Sequence, residues 1–269
     1  MTNVVIGAAS GMGVAVARKL APRGRLLIAD RNPAGVEALA AELGDDVEAF
    51  ACDMTDQAQV ESLLAAVGQL DALVITAGVN AEMAPGPVIL EINLRGVARV
   101  LGAAEPLLRP GTVGVAVASQ SGYMVPEHPE VFAILEDPLS PTFFDDLGAY
   151  FDVNDGSRAY QLSKRGVHRL VRSKAASWGA KGARIMSVSP GINDTPMNRE
   201  QEKVKPIMAK IIESSPLGRR GTPEEIAEVI DFVTSERASL LTGSDVLADG
   251  GMASVLPQSW EGHLRPGTA

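Results

Sequence analysis

The stretch Val4-Val5-Ile6-Gly7-Ala8-Ala9-Ser10-Gly11-Met12-Gly13 decides the fold. Three apolar residues read as a strand. Glycines then recur as G-x-x-x-G-x-G, and Met12–Leu20 has helical spacing. A glycine triplet alone also fits an ordinary tight turn. Placed between a first strand and a first helix, it reads as a phosphate-binding turn. Missing side chains let backbone amides approach a pyrophosphate, and the helix N-terminus adds partial positive charge. The expected contacts are Gly7, Ser10, Gly11, Met12 and Gly13.

Outward from this turn, short β-branched runs alternate with helical patterns. Strands are expected at Val4–Ile6, Leu26–Ala29, Val47–Cys52, Ala72–Thr76 and Val113–Ala118. Helices are expected at Met12–Leu20, Pro33–Leu43, Gln57–Val67 and roughly Val88–Leu107. Further on come a helix over Arg158–Trp178, a strand Arg184–Val188, a helix from Pro223 to Thr234 capped by Thr222, and a short strand Asp245–Leu247. Alternation of this kind implies parallel strands joined by right-handed crossovers. Strands apolar throughout imply helices on both faces. The expected architecture is α/β, a doubly wound parallel sheet of about seven strands, in one domain spanning 1–269.

Composition limits the partners. With 24 basic and 33 acidic side chains the net charge is −9. An acidic chain lacks the field to hold nucleic acid or anionic lipid non-specifically. No apolar run is long enough to span a bilayer. A basic leader with a longer apolar run is missing at the start, so the expected location is the cytoplasm. A single cysteine, Cys52, excludes an internal disulfide, and no Cys/His spacing suggests a metal site.

Asp30 ends the second strand, 23 residues after Gly7. A carboxylate there can accept hydrogen bonds from both ribose hydroxyls of an adenosine and repels a 2′-phosphate. NAD is therefore expected. Arg31 leaves NADP open, since a guanidinium can pair with that phosphate; it can equally be solvated or stack on adenine. Asp53, after the third strand, reaches an adenine amine or caps the next helix.

Tyr160 and Lys164 form Y-x-x-x-K on a predicted helix, so they share a face. A free phenol has a pKa near ~10, too high for a base at neutral pH. A neighbouring ammonium and an oxidised nicotinamide favour the phenolate and are expected to lower it. The phenol then exchanges a proton with a substrate oxygen while hydride moves to or from the cofactor. Ser119 ends the fifth strand, on the carboxyl edge where such sheets bind ligands, and can hold a substrate carbonyl. Ser121 is its rival.

With these pieces in order, the sequence resembles the short-chain dehydrogenase/reductase family over nearly its whole length. The matching positions are Gly7/Gly11/Gly13, Asp30, Asp53, Ala77-Gly78, Asn93, Ser119, Tyr160/Lys164, Pro190-Gly191 and Asp249-Gly250-Gly251. The resemblance implies a catalytic tetrad of Asn93, Ser119, Tyr160 and Lys164, with Asn93 holding a water in a proton relay through Lys164. It implies cofactor contacts from Asp53, Met54, Ala77, Gly78, Tyr160 and Lys164. A nicotinamide-fixing loop is implied at Pro190, Gly191, Ile192 and Thr195. Thr76 stands where the family usually has Asn, and Met186 where Asn is common; both bear on cofactor affinity.

Residues 123–157 break the rhythm. They hold four prolines, eight carboxylates, no Lys or Arg, and six of the eleven aromatics. They separate Ser119 from Tyr160 by 41 positions, far more than is usual in the family. This insertion, with Ala176-Ser177-Trp178-Gly179, makes the chain similar to bacterial 3α-hydroxysteroid dehydrogenase/carbonyl reductases. Short helices are expected to bury the aromatics, partly against the substrate pocket and partly in a subunit interface. The implied function is NAD(H)-dependent interconversion of a secondary alcohol and a ketone on a bulky apolar, steroid-like substrate, by a homodimer or homotetramer. Two alternatives stand beside it: an NADPH-dependent reductase of small xenobiotic or quinone carbonyls, and a nucleotide-binding regulatory protein without turnover.

Overall fold

The computed structural model describes residues 1–205 and 207–255; parts of the expected 1–269 unit at 206 and 256–269 lie outside them. The chain opens with β1 (Thr2–Ile6), α1 (Gly11–Leu20), β2 (Arg25–Asp30), α2 (Pro33–Leu43), β3 (Val47–Ala51), α3 (Gln57–Ala65) and β4 (Ala72–Ile75). It continues through α4 (Gly86–Leu90), α5 (Val97–Ala104), β5 (Val113–Val117), α6 (Pro129–Glu136), α7 (Phe143–Tyr150) and α8 (Gly156–Gly179). The last elements are β6 (Arg184–Pro190), α9 (Pro196–Val204), α10 (Ile207–Ser214), α11 (Pro223–Thr234) and β7 (Ser244–Ala248). The seven strands form one parallel sheet in the order β3-β2-β1-β4-β5-β6-β7. The order in which strands are added to the sheet reverses between β1 and β4, which opens a crevice at their carboxyl ends.

The uniformly apolar central strands are explained by what covers them. One face carries Val4, Leu27 and Leu73 into a core shared with the helices after β3, β4 and β5. The other carries Val5, Leu26 and Val115 against α1, α2 and α11. Helix α11 starts where expected: Thr222 accepts from Glu225 N while Glu225 accepts from Thr222 N, a complete capping box ahead of Pro223.

Two expectations need correction. The helix predicted over Val88–Leu107 is interrupted by a π-helical turn at Glu91–Gly96, which contains Asn93. Helices α9 and α10 were not foreseen. Yet Thr195-Pro196 is the same start signal as Thr222-Pro223, and Thr195 accepts from Asn198 N at 3.3 Å.

The segment 123–157 folds as expected into short helices, and Phe132, Phe143 and Phe151 are buried. Its carboxylates find cations on the core. Arg165 of α8 pairs with Glu127 at 2.5 Å and Arg169 pairs with Glu136. Both guanidinium groups lie 4.7 Å from the Phe132 ring centroid. Arg95 donates to Pro138 O at 2.6 Å and lies over Phe143 and Phe144. An acidic insert without a Lys or Arg is thus fastened to basic positions of the helices beneath it.

Candidate active site

The carboxyl ends of β1, β2, β3 and β4 open onto a cleft of about 590 Å³. At its floor, Gly7 takes φ +92°, and a Cβ added at Gly13 would stand 1.9 Å from Gly7 O. Side chains are sterically excluded there, so backbone approaches anything bound. Ser10 precedes α1 without capping it through its side chain. The helix therefore presents amide donors to the cleft, which suits a pyrophosphate. Gly7, Ser10, Gly11, Met12 and Gly13 all line the cleft, as do Asp30, Arg31, Asp53, Met54, Ala77, Gly78 and Thr195.

Asp30 is half-buried, and two backbone amides fix its carboxylate: Ala9 N donates to Oδ2 at 3.1 Å and Asn32 N to Oδ1 at 3.0 Å. Each oxygen keeps a lone pair for a diol. Arg31 is exposed. Asp53 accepts from Thr55 N and Thr55 Oγ1 at 2.9 and 2.8 Å, while α3 is capped by Asp56 instead. Thr76, in place of the usual Asn, turns its hydroxyl on Ile6 O and Gly7 O at 3.0 and 3.1 Å. It ties β4 to the glycine turn. Cys52 also lines the cleft, but burial pushes its thiol up to about 11, with Asp53 and Asp56 adding to the effect.

The tetrad positions, Asn93, Ser119, Tyr160 and Lys164, are not among the residues that line this cleft. Asp155 caps α8 by accepting from Ser157 N and Arg158 N. The helix then carries half-buried Tyr160 and, one turn on, buried Lys164. The Tyr160 phenol hydrogen-bonds the Ser119 hydroxyl. Ser121, the rival, donates to Ser119 Oγ from both N and Oγ, at 3.2 and 3.0 Å. Lys164 Nζ lies 5.8 Å from the Tyr160 ring centroid and donates to Val117 O at 3.1 Å. Asn93, fully buried, accepts from Val79 N and donates to Val79 O, both at 2.8 Å, and donates to Ser163 Oγ at 3.3 Å. A methyl group built on Gly78 would stand 3.1 Å from Asn93 Oδ1 and 3.5 Å from Lys164 Nζ. Asn93 and Lys164 thus meet beside Gly78.

Electrostatics acts on the phenol from several sides. In the chain by itself the Tyr160 phenol is pushed up: burial raises it, the Ser119 hydrogen bond pulls it back and Glu82 raises it further. Burial lowers Lys164 to about 8, so its ammonium costs desolvation yet persists at neutral pH.

Not every expected contact meets in the cleft. Ile192 and Gly191 line a second, smaller cavity of about 160 Å³, and Gly191 sits tight against Asp249. Pro190 ends β6. Among the described residues, the insertion contributes none to the lining of the large cleft. The apolar wall comes instead from Met83, Ile92, Met197 and Val204. Two of these sit on α9, the helix that sequence patterning missed.

Comparison with known proteins agrees with this arrangement. The family model for short chain dehydrogenase matches residues 2–132, and that for Enoyl-(Acyl carrier protein) reductase matches 148–253. The chain is 33% identical to cis-4-hydroxycyclohexanecarboxylate dehydrogenase of Sinomonas cyclohexanicum, over 94% of this chain and 96% of that protein. It is 26% identical to 3-alpha-hydroxysteroid dehydrogenase/carbonyl reductase of Comamonas testosteroni, over 94% and 96%. A crystal structure of 3-ketoacyl-(acyl-carrier-protein) reductase from Brucella melitensis, complexed with NADH, superposes with a TM-score of 0.73 at 25% identity, covering 94% of this chain and 98% of that one. With a glycine turn under β1, a carboxylate at the end of β2 and a Ser–Tyr–Lys group at the edge of β5, the chain belongs to the short-chain dehydrogenase/reductase family, oxidoreductases that act on alcohol and carbonyl groups.

Proposed function

We propose that this protein interconverts a secondary alcohol and a ketone with NAD(H), on a bulky substrate whose ring system lies against the apolar wall. One observation carries the reading: the Tyr160 phenol is hydrogen-bonded to Ser119 at the end of β5, with the Lys164 ammonium one helical turn away. The cradle at Gly7–Gly13 and the anchored Asp30 fit a dinucleotide, and Asp30 favours one without a 2′-phosphate. Gly7, Ser10, Gly11, Met12 and Gly13 would hold the pyrophosphate. Asp30 would hold the ribose diol, with Arg31, Asp53 and Met54 around the adenosine. Ala77, Gly78, Ile192 and Thr195 would stand toward the nicotinamide. The chemistry a bound nicotinamide supplies is hydride transfer.

Everything else falls to the chain. Ser119 orients the substrate oxygen against the phenol. In the reductive direction, the protonated phenol favoured by burial donates its proton to that oxygen. In the oxidative direction the phenolate must form, and the Lys164 ammonium is the cation that favours it. The Asn93 amide is committed to Val79 and Ser163, so it fixes the loop beside Lys164. Its part in a water relay rests on the resemblance and on its place in the π turn, a feature common at functional sites.

We further read the chain as one nucleotide-binding unit over 1–269, working in the cytoplasm as a homo-oligomer. Among the described residues no helix is long and apolar enough to cross a membrane. Helix α6 packs along α8, one of the two long helices through which family members often assemble. The insert would block or rebuild that contact. The test is a panel of ring alcohols, hydroxysteroids and their ketones, with NAD(H) and NADP(H), followed by nicotinamide absorbance. Turnover with NAD(H) supports the reading, and binding of cofactor without any turnover favours the regulatory alternative.

A further inference from the structure

Glu82 lies four residues after Gly78, in the loop between β4 and α4, and is assigned no role above. Its carboxylate lines the large cleft near the apolar wall, and its side chain is only 21% exposed. Two side chains grip it. Lys205 Nζ lies 2.5 Å from Oε1, and Gln201 Nε2 donates to Oε2 at 2.8 Å. Gln201 faces the cleft with it, whereas Lys205 approaches from just beyond the end of α9 and is not part of the lining. Each carboxylate oxygen keeps an unused lone pair. The charged side chains lining the cleft are Asp30, Arg31, Asp53, Glu82 and Glu200, an excess of carboxylates. The loop is braced from behind by the insert. A methyl on Gly86 would stand 2.0 Å from Val153 O, and one on Gly156 would stand 3.4 Å from Ala81 Cβ.

A held carboxylate, set among apolar residues, with free acceptor capacity and its cation outside the cleft, discriminates by charge and by hydrogen-bond donors. We propose that Glu82 is a specificity-determining residue. It accepts a hydrogen bond from a second hydroxyl of a neutral ring alcohol and excludes alcohols that carry a carboxylate. Lys205 and Gln201 act through Glu82 as positioning residues. The inference rests on the alcohol–ketone reading above. The electrostatic effect of Glu82 on the Tyr160 phenol agrees with its place at the reacting end.

The test compares kcat/KM for cyclohexane-1,4-diol and 4-hydroxycyclohexanecarboxylate, with NAD, in the full chain and in Glu82→Gln and Lys205→Met. The unmodified protein is expected to prefer the diol. Glu82→Gln keeps the shape and removes the charge, and should lower the diol-to-acid ratio about tenfold, a difference of about 1.4 kcal/mol. Lys205→Met leaves the carboxylate without its cation and should raise the ratio. A general packing role for Glu82 would change both substrates alike and leave the ratio where it was. That result, with both alcohols turned over, overturns the assignment alone. If the unmodified protein oxidises neither alcohol and reduces neither corresponding ketone, the alcohol–ketone reading for ring substrates fails and takes the assignment with it.

Discussion

Replacing Asp30 by Ala should convert a cofactor preference, and its size follows from the structure. The Asp30 carboxylate is aimed by Ala9 N and Asn32 N, so in the holoenzyme it meets the ribose diol already oriented. Losing a hydrogen bond to a charged acceptor costs roughly 1.5–3 kcal/mol of NAD affinity. The same change relieves repulsion of a 2′-phosphate. Two unit charges ~4 Å apart at an effective dielectric of ~20 repel by roughly 4 kcal/mol. Asp30 is half-exposed, so solvent and salt reduce that to about 1–2 kcal/mol. The two effects act in one direction, and the ratio of kcat/KM with NAD to kcat/KM with NADP should fall by about 10²–10⁴. Exposed Arg31 then pairs with the phosphate. The assay is steady-state oxidation of one good alcohol with each cofactor. A parent protein that already prefers NADP, or a ratio left unchanged by the substitution, refutes this reasoning about the Asp30–Arg31 pair.

Two further outcomes follow from the same geometry. Lys164 is buried, and its folded-state pKa of about 8 lies below the unfolded value near ~10.4, so the unfolded chain binds more protons between them and stability rises with pH across that window. Below about pH 8 the buried ammonium destabilises the fold, by up to roughly 3 kcal/mol before the lost bond to Val117 O is counted. Lys164→Met should therefore raise the thermal midpoint at pH 7, with a gain that shrinks toward pH 10.5, while activity collapses; a variant less stable than the parent at pH 7 contradicts this. Replacing residues 125–155 with a short Gly/Ser linker strips Arg165 of Glu127 and Arg169 of Glu136, leaves Arg95 with Glu91 but without Pro138 O, and removes the brace behind the Glu82 loop. It should change the mass seen by light scattering or raise KM for bulky substrates, and no change in either makes the insert a passive loop.

Much of the sheet could be read directly because its strands are buried on both faces, which leaves runs such as Val113–Val117 without a polar residue. The glycine turn and Asp30 were legible for a different reason, since steric exclusion and a fixed charge position tolerate few residue types. Helical spacing joined Tyr160 to Lys164, but Ser119 lies 41 positions before Tyr160, and only their order in a known family linked it to that pair. Helix α9 escaped because Pro196–Val204 buries none of its residues, so it carries no core-facing apolar stripe. Its N-cap signal at Thr195-Pro196 was there to be found. The insert's aromatics could not be placed because burial has no address in a sequence: Phe132 and Phe143 needed covering, and α8 and Arg95 met that need. Lys164 and an oxidised nicotinamide favour the Tyr160 phenolate, whereas the desolvation that opposes them in the chain by itself leaves no mark in a sequence.

The measurement that bears most directly on the account is turnover by Tyr160→Phe, with NADH binding followed in parallel by nicotinamide fluorescence. The substitution keeps the ring on α8 and removes the one proton that the mechanism moves. General acid–base catalysis is worth ~10²–10⁴-fold, so kcat should fall by that factor while NADH affinity stays close to that of the parent. Retention of more than about a tenth of the parent kcat, well outside that range, would contradict the assignment of Tyr160 as the proton donor and acceptor.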